Sequence, residues 1–108
     1  MNLRISDGEL RFRVTRGEFS ALLQGDVLQL VLPHSMALYC YLVQAEESGV
    51  PLLLKEEGDR MTLTVDRNAL KALAEQQPSR DGIAHKVRLG GEEWLLLFEV
   101  DIRRVPKR

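Results

Sequence analysis

Apolar and polar residues alternate over Leu3 to Ser6 and again over Glu9 to Val14. That two-residue period predicts two strands, each with one buried face. Asp7-Gly8 between them is a two-residue hairpin signal, which sets Leu3, Ile5, Leu10, Phe12 and Val14 on one side. Thr15 follows, with Glu18 three residues on. In that spacing each side chain satisfies a backbone N–H at a helix start. Phe19, Leu22 and Leu23 then form the i, i+3, i+4 stripe of a short amphipathic helix, and Gly25 is placed to stop it. Leu28, Leu30 and Leu32 alternate as a strand, and Pro33-His34-Ser35 reads as a turn. Met36 to Val43 is almost wholly apolar and predicts a strand covered on both faces.

The pattern then begins again after a linker at Glu46 to Gly49. Pro51 to Lys55 and Arg60 to Val65 read as strands around a Glu57-Gly58-Asp59 turn. Asp66 caps a helix carrying Leu70, Leu73 and Ala74, which ends in Gln76 to Gly82. Ile83 to Leu89 and Glu92 to Ile102 are strands joined at Gly90-Gly91, and Arg103 to Arg108 is a basic tail.

The two halves align. Leu10 to Leu22 lies over Met61 to Leu73 without a gap at an offset of 51, with Val14/Val65, Arg16/Arg67, Ala21/Ala72 and Leu22/Leu73 identical. Later the offset reads as 57, from Leu32 to Leu89, which adds about six residues to the loop after the second helix. A period of this length predicts a duplicated unit. The expectation is a single α+β domain over residues 1–108, built from strand–strand–helix–strand–strand repeats at 1–45 and 50–102. Hairpin-length links favour antiparallel neighbours. About eight strands should therefore form one antiparallel sheet, curved or barrel-like, with two short helices packed on it.

Composition narrows the function. Fifteen Lys and Arg against 16 Asp and Glu give a net charge of -1, so no whole-molecule field draws in nucleic acid or an anionic membrane. The lone Cys40 excludes an intrachain disulfide. No long apolar stretch follows Met1, so neither a signal peptide nor a spanning helix is expected, and the bacterial cytoplasm is the default location.

The opening LRISDGELRFRVTRGEF resembles the start of a family of short bacterial proteins that share an R-I-x-x-x-x-L-R-x-R-(L/V)-(T/S)-x-x-E run. Glu99-Val100-Asp101-Ile102 is similar to the same family's E-x-D-hydrophobic strand. Members end in an acidic tail, whereas this chain ends Arg103-Arg104-Val105-Pro106-Lys107-Arg108. The resemblance implies no activity.

Arg4, Arg11 and Arg13 are the candidate binding residues. A turn at Asp7-Gly8 sets Arg4 directly across from Arg11. Like charges opposed across strands destabilise the pair unless an anion lies between them. One reading is therefore a site for a phosphate, a carboxylate or a nucleic-acid backbone, which the planar guanidinium fork suits. The other, which we favour, is a charge ladder closed by Glu99 and Asp101. Exposed aromatics interleaved with basic residues and a basic recognition helix are both missing, which argues against nucleic acid.

The remaining reactive residues suggest little chemistry. His34 falls in a turn and His85 on the inward phase of a strand, and neither has a second ligand at metal spacing. Cys40 reads as a small core residue. The carboxylates at Glu46-Glu47, Glu56-Glu57-Asp59 and Glu92-Glu93 fall at turns. No catalytic set, metal site or cofactor is expected. The leading expectation is a protein-interaction or oligomerisation module, resting on the apolar runs Met36 to Val43 and Trp94 to Phe98. An anion-binding protein using Arg4, Arg11 and Arg13 is the alternative, and nucleic-acid binding a second one.

Overall fold

In a computed structural model, residues 1–32, 39–76 and 82–101 are described. The chain forms β1 (Asn2–Ser6), β2 (Glu9–Val14), α1 (Arg16–Leu23), β3 (Leu28–Leu32), β4 (Tyr39–Glu46), β5 (Leu52–Glu57), β6 (Arg60–Asp66), α2 (Arg67–Glu75), β7 (Ile83–Leu89) and β8 (Glu92–Val100). The Pro33-His34-Ser35 turn, residues 36–38 of the apolar run, Ile102 and the basic tail lie outside the described residues.

Several boundaries differ from expectation, and cross-strand pairing explains them. β4 runs on to Glu46 because its ladder with β6 continues to Asp66. β5 reaches Glu57 because that residue still pairs with Arg60, so the turn tightens to Gly58-Asp59. β8 stops at Val100, after which the Asp101 N–H donates to the Val14 carbonyl at 2.7 Å.

The strands form two separate four-stranded sheets, in the orders β1-β2-β8-β7 and β3-β4-β6-β5. A single antiparallel or barrel-like sheet is therefore not what forms. The hairpins β1/β2, β3/β4, β5/β6 and β7/β8 are antiparallel, as their connections require. The central pairs, β2/β8 and β4/β6, are parallel. Loop length controls pairing only inside a hairpin. How one hairpin meets another depends on the helix crossovers, and these send the chain from one sheet to the other. Each sheet thus joins the leading hairpin of one half to the trailing hairpin of the other.

The ladders of the two sheets match position by position. Leu3 faces Phe12 as Leu54 faces Leu63, at the offset of 51. Leu28 faces Val43 as Ile83 faces Phe98, at an offset of 55. The parallel pairs agree with both: Glu9 meets Leu95 where Arg60 meets Cys40. Two backbone bonds correspond as well, Leu95 N–H to the Gly8 carbonyl and Cys40 N–H to the Asp59 carbonyl, each 2.9 Å. In that register Leu32, across from Tyr39, takes the place that Val87 takes across from Trp94.

One apolar core joins the inner faces of both sheets and both helices. Phe12, Val14, Val43, Leu63, Val65, Leu96 and Phe98 come from the four central strands, and Leu22 and Leu70 from the helices. Each of these side chains is almost fully buried, and burying a Leu, Val or Phe contributes about 1.5–3 kcal/mol. α1 lies against β2, β3 and β4, α2 against β4 and β6, and the helices touch each other.

Both helix starts are chemically fixed. Thr15 Oγ1 accepts from the Glu18 N–H at 3.1 Å while Glu18 Oε1 accepts from the Thr15 N–H at 2.9 Å, the reciprocal cap anticipated from the spacing. The Met1 ammonium adds a 2.7 Å bond to Glu18 Oε2. α1 ends at Leu23 with Gln24 as its cap, after which Gly25 at φ +101° lets the Asp26 N–H reach back to the Ala21 carbonyl. At α2, Asp66 Oδ2 accepts from the Ala69 N–H at 3.1 Å and Oδ1 from the Ser48 N–H at 3.2 Å. One carboxylate thus starts the helix and ties down the loop that links the halves.

Two predictions follow from these contacts. A Cβ at Gly82 would run into the Phe98 carbonyl oxygen, a backbone atom that cannot step aside. In urea unfolding, Gly82→Ala should cost about 1–3 kcal/mol, while Thr15→Ala should cost about 1 kcal/mol. The second concerns acid. Donation from the Ser48 and Ala69 N–H groups holds the Asp66 carboxyl below its ordinary 3.8. Burial pushes the Glu18 carboxyl up, but the Met1 ammonium and the bonds from Thr15 outweigh it and hold the group below its ordinary 4.5. A carboxyl depressed by folding stabilises above its unfolded value and loses that contribution as pH falls. The melting temperature should drop below about pH 4.5, and Asp66→Asn should make that drop shallower.

Candidate functional site

The arginines lie on the outer face of the β1-β2-β8-β7 sheet. Gly8, at φ +76°, closes the two-residue turn, and the resulting register sets Asn2 across from Arg13, Arg4 across from Arg11 and Ser6 across from Glu9. β8 continues these rows, with Leu97 beside Arg11 and Glu99 beside Arg13. β7 adds Ala84 next to Leu97 and Lys86 next to Leu95. The inner neighbours Leu10, Phe12, Leu96 and Phe98 are buried, so strict alternation turns the charged residues outward.

Glu99 ties two of the three guanidiniums together. Its Oε1 accepts from Arg13 Nη2 at 3.2 Å, and its Oε2 lies 3.6 Å from Arg11 Nη1. Glu9 Oε1 accepts from the other side of Arg11, at Nη2 and 3.2 Å. The Glu99 side chain is only 17% exposed, so these pairs are less screened than open surface pairs. The ladder reading holds for Glu99. Asp101 lies half-buried just past the strand.

The ladder leaves two features over. Arg11 Nε is out of contact with solvent and has no hydrogen-bond partner among the described residues. Arg4, facing it across the hairpin, makes no ion pair among the described residues. Asn2, Arg4, Arg11 and Arg13 line a small slot of about 10 Å³.

The other candidates do not assemble into a site. His85 is half-buried on β7 across from Leu96, and His34 lies outside the described residues. Cys40 is half-buried on the outer face of the other sheet, in a row with Val31 and Arg60, rather than in the core. The inner phase of β4 belongs to Tyr41 and Val43 instead. Among the described residues no three His, Cys, Asp or Glu side chains sit close enough to hold a metal ion. No helix among them is long and apolar enough to cross a membrane. An open cleft of about 480 Å³ at Glu47, Pro51, Asp66 and Ala69 surrounds the α2 cap, and both of its charged groups are acidic.

The sequence pointed to Glu99 but passed over Glu9. The signal was present, since Glu9 and Arg11 are two apart on one strand and must share a face. The dry Arg11 Nε was not readable, because it depends on how β8 closes over β2.

The chain belongs to a family of unknown function, DUF7009, whose model matches residues 1–105. No curated protein and no solved structure matches the chain.

Replacing Glu99 tests the ladder. Glu99→Gln leaves Arg11 and Arg13 side by side without their shared carboxylate. Urea unfolding at low salt should show a loss of about 1–3 kcal/mol. Added sodium chloride should shrink that loss, because ions screen the exposed guanidinium repulsion.

Proposed function

We propose that this protein is a self-associating module, and that β3 is the strand through which two copies meet. One observation carries the reading: β3 is the edge strand without a charged residue. An edge strand presents unpaired N–H and C=O groups, and proteins protect such edges with charge. β1 carries Arg4, β5 carries Lys55, Glu56 and Glu57, and β7 carries Lys86 and Arg88. β5 and β7 also contact each other. β3 reads Leu28-Gln29-Leu30-Val31-Leu32 and, among the described residues, pairs only with β4.

Exposure along the segment supports the same edge. Of the five large apolar side chains left exposed among the described residues, Leu23, Val27 and Val31 lie in the stretch leading into and along β3. A second copy is the occupant that charge favours. Turned antiparallel upon itself about Leu30, β3 opposes no like charges. The same operation on β1 about Arg4 would face two guanidiniums.

The proposal extends to the origin of the fold. The matched ladders support two copies of one strand–strand–helix–strand–strand unit within the chain, each lending a hairpin to the other's sheet. On this reading a third and fourth unit join when β3 pairs across molecules.

Val31→Lys supplies the missing edge charge at a site already 38% exposed. In sedimentation velocity, wild type should show a reversible dimer whose fraction rises with concentration. The variant should remain monomeric with an unchanged melting temperature. A wild type that stays monomeric at millimolar concentration, or a variant that dimerises equally well, overturns the proposal.

A further inference from the structure

We infer that the cleft between the end of α1 and the start of α2 is a binding site for a small phosphate monoester with an apolar body, an interaction separate from pairing through β3. Three observations lead to it.

The first is charge. Arg67 and Lys71 both line the cleft, and none of its lining residues is acidic. The two stand four apart on α2, so they share one face of the helix. Neither makes an ion pair among the described residues. Like charges at this spacing cost a helix stability. An anion that reaches both relieves the repulsion and gains charge-assisted bonds. Two cations match a phosphate monoester, which carries about −1.5 to −2 charges at neutral pH.

The second is the comparison between the halves. At the offset of 51, Arg67, Lys71 and Gln24 of the cleft correspond to Arg16, Ser20 and Glu75. There a hydroxyl stands in place of the second base, and an acid in place of the amide. α1 nonetheless forms its helix from Arg16 onward, behind its own cap. Helix formation in this unit does not require the second base.

The third is shape. The cleft measures about 210 Å³, below the ~300–1,000 Å³ of pockets for drug-sized ligands. It suits a phosphate with a body of a few carbons rather than a nucleotide. The buried residues that line it, Leu22 and Leu70, are apolar, and half-buried Ala45 joins them. Leu23, 41% exposed, adds apolar surface at the end of α1. Covering this surface is favourable, which gives the ligand its apolar body.

The test reads the cleft itself. Butyl phosphate, inorganic phosphate and pentanoate are titrated at neutral pH and constant ionic strength into wild type, Lys71→Ser and Arg67→Gln. The amides of Gly25, Leu70 and Lys71 (or Ser in its variant) are followed in a ¹H–¹⁵N correlation spectrum. Pentanoate carries the same butyl body with a single charge. Lys71→Ser installs the residue that the matching position of α1 already holds, so α2 should keep its helix.

Butyl phosphate should shift these amides saturably. Inorganic phosphate, which covers no apolar surface, should reach half-saturation at a concentration about tenfold higher. Pentanoate, one charge short, should need about fivefold more than butyl phosphate. Each variant should raise the half-saturation concentration of butyl phosphate about fivefold, the loss of one exposed pair. The inference is overturned if butyl phosphate moves none of these amides saturably, or if either variant responds as wild type does. Equal half-saturation by inorganic phosphate overturns the apolar part of the site, and equal or tighter binding of pentanoate overturns the phosphate. Sedimentation does not enter this readout, so failure of β3 pairing and failure of the cleft are told apart.

Discussion

The parallel pairing of β2 with β8, and of β4 with β6, is the constraint on which everything else depends. Each of the four hairpins is local and would be marginal alone. A hairpin buries one face only when another hairpin widens its sheet and the second sheet closes over it. Here the widening partner always comes from the other half of the chain. Val14 meets Val100, 86 residues later, and the two stand on the inner face with Phe12 and Phe98. Without that pairing Glu99 is nowhere near Arg13, and the arginine face has no ladder and no slot. The same pairing leaves β3 at an edge.

Local chemistry made the elements legible. Asp7-Gly8 and Gly90-Gly91 fixed two turns, and the Thr15–Glu18 spacing fixed a helix start with both of its bonds. Asp66 was legible as a cap, but its second bond, to Ser48, was not, since that depends on where the linking loop comes to rest. The number of sheets was not legible either. Hairpin rules describe neighbours in sequence, and nothing in them says that α1 carries the chain into a second sheet. The strand registers were beyond the sequence for a related reason. Leu32 and Leu89 are both leucines in alternating strands, and letters alone do not say that Leu32 faces Tyr39 while Val87 faces Trp94.

The candidate site shows the same division. Arg4 opposite Arg11 follows from the turn, and Glu99 beside them follows from alternation once the last strand is placed next to the first hairpin. What sequence could not supply was the accounting of individual nitrogens. Two carboxylates reach the Nη groups of Arg11 and leave its Nε dry, a matter of side-chain placement rather than of residue type. Edge protection lies at the other extreme. The absence of charge from Leu28 to Leu32 is plain in the letters, yet it acquires meaning only when β3 is known to be an edge.

The exchange of hairpins between sheets has a consequence for synthesis. When the ribosome has released β1 through β4, neither sheet can be finished, because both lack their inner partner. β4 waits for β6, but β2 waits for β8, the last strand among the described residues. The nascent chain therefore carries an open edge at Glu9 to Val14 while the remaining half is translated, on the order of several seconds. The polar residues on that strand, Glu9, Arg11 and Arg13, stand along its edge throughout the wait. Charge along a strand that lacks its partner disfavours pairing with another chain.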